Sequence, residues 1–283
     1  MNYRLYRKAK NIMFLILTLG SALAVLIPLF MIIQFVMVQG ASSLSLDFFT
    51  ELPKPVGEIG GGMKHAILGT ICLVILGAAI AVPIGVTCGI YLSEFRKSRL
   101  SKNLKLSVDL MSGIPSIVIG IFAYLMVVVP LKSFSALAGG IALSIIMLPI
   151  IIKTSEEILK LVPDHIREAG LALGLPRWKV ILFVVLKGEI SNLLTGIILA
   201  ISRAAGETAP LLFTAFGNMY ISYGLNQPMA SLPVQIYTYA ISPYKEWQKQ
   251  AWAGAFVLMV LILSMNLFAR YILTKIKDKK GIS

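Results

Sequence analysis

The chain has 283 residues, 57% of them hydrophobic and 14% charged, with a mean hydropathy of +0.84. These values exclude an ordinary soluble domain, and the formal net charge of +13 does not point to nucleic acid, because the charges fall between long apolar runs rather than on one basic face. Cys72 and Cys88 share one apolar run, without CxxC spacing or a nearby histidine, and read as packing residues rather than a metal or redox site.

In chain order, Arg4, Arg7, Lys8 and Lys10 precede an apolar stretch over 12–38. It is far longer than the apolar region of a secretory signal peptide, so it predicts a retained membrane anchor. Further apolar stretches over 65–92, 107–131, 134–152, 189–214 and 251–273 each approach the ~20 residues that cross a bilayer. The expected fold class is therefore all-α, a polytopic membrane protein of six transmembrane helices forming a single domain over 1–283. Lys and Arg number four before the first span, five between spans 2 and 3, six between spans 4 and 5, and four after Arg270. Only Lys54, Lys64, Lys132, Lys245 and Lys249 fall in the alternate loops, so the positive-inside rule predicts cytoplasmic N- and C-termini.

Within span 2, Gly85-x-x-x-Gly89 reads as a helix-packing pattern. His65 and His165 read as solvated surface, and Asp109 has Lys105 at i−4 as a candidate partner. Pro115, between Gly113 and Gly120, predicts a bend or close helix approach in span 3. The segment 215–250 is rich in Tyr, Pro and Asn, and Pro228 and Pro233 break it too often for a span, leaving a short re-entrant helix open.

The most informative hydrophilic stretch runs from about Lys153 to Lys187. Pro163 suits a first helical turn, Ile166, Ala169, Gly170 and Leu173 recur at i, i+3, i+4 and i+7, and Gly174 suits the position after the helix. This predicts a short amphipathic helix over 163–173, with Asp164, Arg167 and Glu168 on its polar side. Small residues Ala169, Gly170 and Ala172 would let a partner's backbone approach closely. Docking of a peripheral protein and an interfacial position on lipid both remain open, but few large apolar side chains and little basic charge favour docking.

Arg203 and Glu207 lie inside span 5. A charge within a span costs about 2.5–3.5 kcal/mol on insertion scales and seldom faces lipid. Spacing i, i+4 places both on one helix face, with Arg203 roughly 22 Å from the start of the span. The planar guanidinium matches an oxyanion, and Glu207 would hold it and temper its attraction so that the anion can leave. The alternative is an ion pair that locks span 5 to a neighbour.

The run Glu168-Ala169-Gly170-Leu171-Ala172-Leu173-Gly174 resembles the EAA loop of permease subunits in binding-protein-dependent ABC importers, with Gly170 in place of the second Ala and without the family's closing proline. Ser112-Gly113-Ile114-Pro115-Ser116-Ile117-Val118-Ile119-Gly120 and Ser202-Arg203-Ala204-Ala205-Gly206-Glu207-Thr208-Ala209-Pro210-Leu211 are similar to stretches of phosphate permeases. The short N-terminus and Gly60-Gly61-Gly62 look more like the PstA family than its partner subunit.

The resemblance implies a type I ABC importer permease fold in the cell (plasma or inner) membrane, and a chain that carries inorganic phosphate into the cytoplasm. Sulfate, molybdate or phosphonate are the runner-up substrates. It implies a substrate pathway at Arg203 and Glu207, and coupling to an ATPase through Arg167, Glu168, Ala169, Gly170 and Gly174. The implied partners are a second homologous permease subunit (PstC-like), an ATPase dimer (PstB-like) and an extracytoplasmic phosphate-binding protein (PstS-like), besides membrane lipid. The chain has no Gly-x-x-x-x-Gly-Lys-Ser/Thr loop, so it is expected to be no enzyme and to bind no cofactor, ATP and Mg belonging to the partner ATPase. A secondary carrier, a channel or an intramembrane enzyme are the competing classes, and the last lacks any HExxH, Gly-x-Ser-x-Gly or paired-carboxylate site.

Overall fold

A computed structural model describes residues 2–58 and 60–279. Lys280, one of the four basic residues after Arg270, lies outside them. Among the described residues five helices are long and apolar enough to cross a membrane, and a bent helix pair makes a sixth element.

The first helix, α1 (Asn2–Ser42), touches the rest of the chain mainly at one end. There Gly40 lies against Phe256 and Trp252, and the rings of Phe35 and Trp252 meet edge to face at 5.1 Å. A short turn, α2 (Asp47–Thr50), and a glycine-rich loop lead into α3 (Lys64–Glu94). Gly62 and Met63 are tied back to that turn and loop by backbone bonds to Leu52 and Phe48.

The centre of the bundle is the packing of α3 on α7 (Ala136–Leu161). Small residues set its closeness. A Cβ at Gly77 would lie 3.0 Å from that of Leu143, and at Gly89 it would overlap the side chain of Ser155. The Gly85–Gly89 pattern thus serves α3–α7 contact, since van der Waals packing of small faces is what joins helices in lipid. Leu73, Ala81, Leu143, Met147 and Ile151 fill this seam, and Leu193, Ile197, Ala200 and Ala204 extend it.

The stretch expected to form one span over 107–131 is broken. An amphipathic helix, α4 (Arg99–Gly113), is capped by Ser98, whose side chain accepts from the Ser101 amide. It ends at Ile114–Pro115, and the chain turns by 105° into α5 (Ser116–Ala123). A π-helical turn over Tyr124–Val128 and the short α6 (Val129–Leu131) complete this arm. Pro115 holds the break because its ring fixes φ and removes the amide that a continuing helix needs.

After α7 the chain forms α8 (Asp164–Ala172), a turn α9 (Arg177–Lys179) and a π-helical stretch Val180–Leu186 that runs into α10 (Lys187–Ala205). Span 5, expected over 189–214, therefore begins earlier and breaks at Gly206–Thr208 before α11 (Ala209–Thr214). The short helix α12 (Leu232–Ala240) precedes the long α13 (Lys245–Lys279).

The segment before α12 folds over the head of α3. Gly69 passes the Ala230 carbonyl too closely for any side chain, and the Leu232 amide donates to Thr70 Oγ1 at 2.7 Å. His65, at the head of α3, corrects an expectation: it is buried at 3% exposure beside Gln235 of α12 rather than solvated. Asp109 also departs from expectation. It pairs with Lys153 of α7 at 2.7 Å, while Lys105 turns to Glu156 at 3.5 Å, because α4 lies antiparallel against α7 and offers both side chains an interhelical partner.

Candidate functional site

Two signature stretches that are about ninety residues apart in sequence meet in space. Gly120 of α5 faces Pro210 of α11, and a Cβ there would stand 2.8 Å from the proline Cα. This contact brings the Pro115 bend opposite the break that ends α10, and a cavity of about 180 Å³ opens between them. Ser112, Pro115, Ser116, Pro149, Arg203 and Glu207 are among its lining residues.

Arg203 lies in the last turn of α10, and Glu207 in the break beyond Gly206. Their backbones are held by bonds from the Gly206 amide to the Arg203 carbonyl and from the Glu207 amide to the Ala204 carbonyl, each 3.2 Å. The Arg203 Nε stands 4.0 Å from Glu207 Oε1. At that distance the carboxylate attracts the guanidinium without a close hydrogen bond, so the donors remain available to another acceptor. Arg203 is 65% exposed within the single chain, and Glu207 18%. Beside them, Ser202 donates to Asn266 Oδ1 at 3.0 Å and fixes α10 against α13. An oxyanion entering this cavity meets one fork-shaped donor, one repelling carboxylate and the two serines Ser112 and Ser116.

The second site is the knob formed by α8. Its end is a Schellman motif. Gly174 adopts φ +79°, its amide bonds the Leu171 carbonyl at 2.9 Å, and the Leu175 amide bonds the Gly170 carbonyl at 3.3 Å. Pro163 lies just outside the helix as its N-cap. Arg167 turns inward, with Nε 2.9 Å from Glu94 Oε1 at the end of α3, and its other nitrogens donate to the carbonyls of Val162 (2.5 Å) and Leu159 (2.9 Å). Arg167 and Glu94 are 12% and 4% exposed, so this pair is an internal brace.

Gly170 also faces inward. It meets Val180, whose Cγ2 would lie 3.0 Å from an added Cβ, so this small residue serves a contact within the chain. Glu168, Ala169, Ala172 and Gly174 form the outer surface together with Leu173, which is 82% exposed. The structure thus separates the candidate coupling residues into an outer face (Glu168, Ala169, Gly174) and an inner anchor (Arg167, Gly170).

Sequence reasoning did not single out Ser112, Ser116 or Glu94. The serines stand within the quoted stretch around Pro115, whereas nothing in the pattern of α3 marks Glu94 as the partner of a residue 73 positions away. Among the described residues no group of three or more His, Cys, Asp or Glu side chains could hold a metal ion.

Residues 81–278 match the family model described as the binding-protein-dependent transport system inner membrane component. The chain belongs to this family. As a member it is the transmembrane component of a multi-subunit transport system, in which ATP hydrolysis resides in a separate subunit. It is 44% identical over 96% of its length to the phosphate transport system permease protein PstA of Yersinia pestis, covering 92% of that relative. With the PstA of Haemophilus influenzae it shares 40% identity over 95% of its length and 96% of that protein. Its fold is also similar to a chain of the MetNI methionine ABC transporter, with a TM-score of 0.61 and 16% identity, covering 74% of this chain and 94% of that one.

Proposed function

We propose that this family member is the permease subunit through which inorganic phosphate enters the cytoplasm. The observation that carries the reading is the cavity in which Arg203, tempered by Glu207 and flanked by Ser112 and Ser116, faces the break in two helices. A fork-shaped cation with free donors suits a tetrahedral oxyanion. A carboxylate 4.0 Å away keeps the anion from being trapped, as a transport path requires. The names of the relatives from Yersinia pestis and Haemophilus influenzae support phosphate over other oxyanions.

In this reading the α8 end of the bundle faces the cytoplasm, in accord with the basic loops. The outer face of α8 docks on an ATPase dimer, a second homologous permease covers the open side of the Arg203 cavity, and an extracytoplasmic binding protein delivers phosphate. Inward movement of an anion opposes the membrane potential by about 2.3 kcal/mol per charge per 100 mV, which the ATPase offsets. The test is ATP hydrolysis and radiolabelled uptake by the complete complex in liposomes. Phosphate is expected to stimulate both and sulfate neither; equal stimulation by sulfate would overturn the substrate assignment.

A further inference from the structure

The Arg203 cavity continues along one face of α7. Ile146, Pro149 and Ile150 line it, and Lys153 follows at i+7 from Ile146, so it belongs to the same stripe. The Lys153 ammonium is held by two groups on α4, the helix that ends at the Pro115 bend. It donates to Ser112 Oγ at 2.8 Å and stands 2.7 Å from Asp109 Oδ1. Ser112 itself lines the cavity and donates to the Asp109 carbonyl at 2.8 Å, so the ammonium sits one hydrogen bond from the cavity wall. Both members of the ion pair are partly open, at 36% and 47% exposure.

The relative height of the two cations follows from helix packing. Gly196 of α10 faces Thr154 of α7, where an added Cβ would lie 2.8 Å from Thr154 Oγ1. The two helices run antiparallel, so Arg203 lies about 10 Å farther along the bundle axis than Lys153, away from the α8 end. A fixed second cation at that separation is what an anion leaving Arg203 would meet next.

We propose that Lys153 is a second oxyanion contact of the pathway, on the cytoplasmic side of Arg203, and that the arriving anion takes the place of Asp109 on its ammonium. The inference rests on the phosphate pathway proposed above. The exchange is one of ion pairs: the ammonium keeps its charge and its proton, and the Asp109 carboxylate is released to water at the cytoplasmic mouth. Because Asp109 and Ser112 both belong to α4, the exchange also loosens this helix from α7 beside the Pro115 bend. The Lys105–Glu156 pair remains as the other tie between α4 and α7.

Radiolabelled phosphate uptake by the complete complex in liposomes tests this. Lys153→Met is expected to reduce uptake by about tenfold, and Lys153→Arg to retain most of it, because either cation can accept an oxyanion. The exchanged pair Asp109→Lys with Lys153→Asp decides between a pathway contact and a plain fastening. It is expected to regain the thermal stability of the wild type while uptake stays low. Wild-type uptake in the exchanged pair, or in Lys153→Met, would overturn the inference and leave the phosphate reading standing. A wild-type complex that takes up no phosphate would overturn both.

Discussion

The Arg167 guanidinium and the Glu94 carboxylate meet at 2.9 Å, joining the short helix α8 to the end of α3. The same guanidinium holds the carbonyls of Leu159, in the last turn of α7, and of Val162 just beyond it, so one side chain binds the knob to both helices of the central seam. Under the proposed function, this brace would carry a displacement of α8 to α3 and α7 together.

Arg167→Met is expected to leave Glu94 buried without a partner. Breaking a buried pair from one side destabilises by about 3–5 kcal/mol, reduced here because Arg167 retains some exposure. The expected outcome is a lowered unfolding midpoint of the purified complex and ATP hydrolysis that no longer tracks uptake. The double variant Arg167→Met with Glu94→Met, which removes both charges, is expected to regain stability but not coupling. Equal hydrolysis-to-uptake ratios in the wild type and both variants would show that the brace carries no motion.

Arg203→Lys discriminates a guanidinium contact from simple positive charge. Lysine keeps the charge but loses the planar fork, so uptake is expected to fall by about tenfold while the subunits still copurify. Arg203→Ala is expected to fall further. Initial uptake rates at saturating binding protein are the measurement, and rates unchanged in Arg203→Ala would reduce the residue to a structural partner of Glu207.

The outer face of α8 offers a third prediction. Leu173 is exposed in the single chain at 82%, beside Glu168 and Ala169. Leu173→Asp places a charge in the proposed dry interface and Glu168→Arg reverses one already there, and each is expected to abolish copurification of the ATPase. Neither should alter the stability of this chain, since neither side chain is packed within it. Normal copurification together with normal uptake would count against docking at this face.

What the sequence made legible follows from the length scale of each signal. The apolar runs act over about twenty residues, and they located the helices that are long and apolar enough to cross a membrane. The short helix α8 was readable because Pro163 and Gly174 punctuate it, and the positive φ at Gly174 is the backbone reason for that glycine. The breaks in spans 3 and 5 were harder to read. Proline and glycine are tolerated inside membrane helices, so Pro115 and Gly206 do not by themselves separate a kink from an interruption. His65 and Asp109 departed from expectation because their surroundings come from elsewhere in the chain: Gln235 of α12 for one, Lys153 of α7 for the other. The inward turn of Gly170 was equally invisible, since a small residue on a short helix serves a partner or a neighbour with the same spacing.

The contact between Gly120 and Pro210 is where the cavity is set, and it gives the last prediction. α5 and α11 approach until an added Cβ at position 120 would lie 2.8 Å from the Pro210 Cα and 3.3 Å from the Ala209 carbonyl oxygen. Both near atoms belong to the backbone, which has no rotamer to move aside. Gly120→Ala must therefore part the two helices by several tenths of an ångström, and Gly120→Leu by much more, at a cost of about 1–3 kcal/mol for overpacking. Because Ile119 lines the cavity and Pro210 follows Glu207 by three residues, the displacement widens the distance between the Pro115 bend and the Arg203–Glu207 pair. Gly120→Ala is expected to lower uptake several-fold with the complex assembled, and Gly120→Leu to reduce the yield of folded chain. By contrast, Gly113 meets nothing within 4 Å at its added Cβ, so Gly113→Ala is expected to transport normally. The comparison of initial uptake rates in these two alanine variants measures how much the close α5–α11 contact matters, and equal rates would refute its part in shaping the pathway.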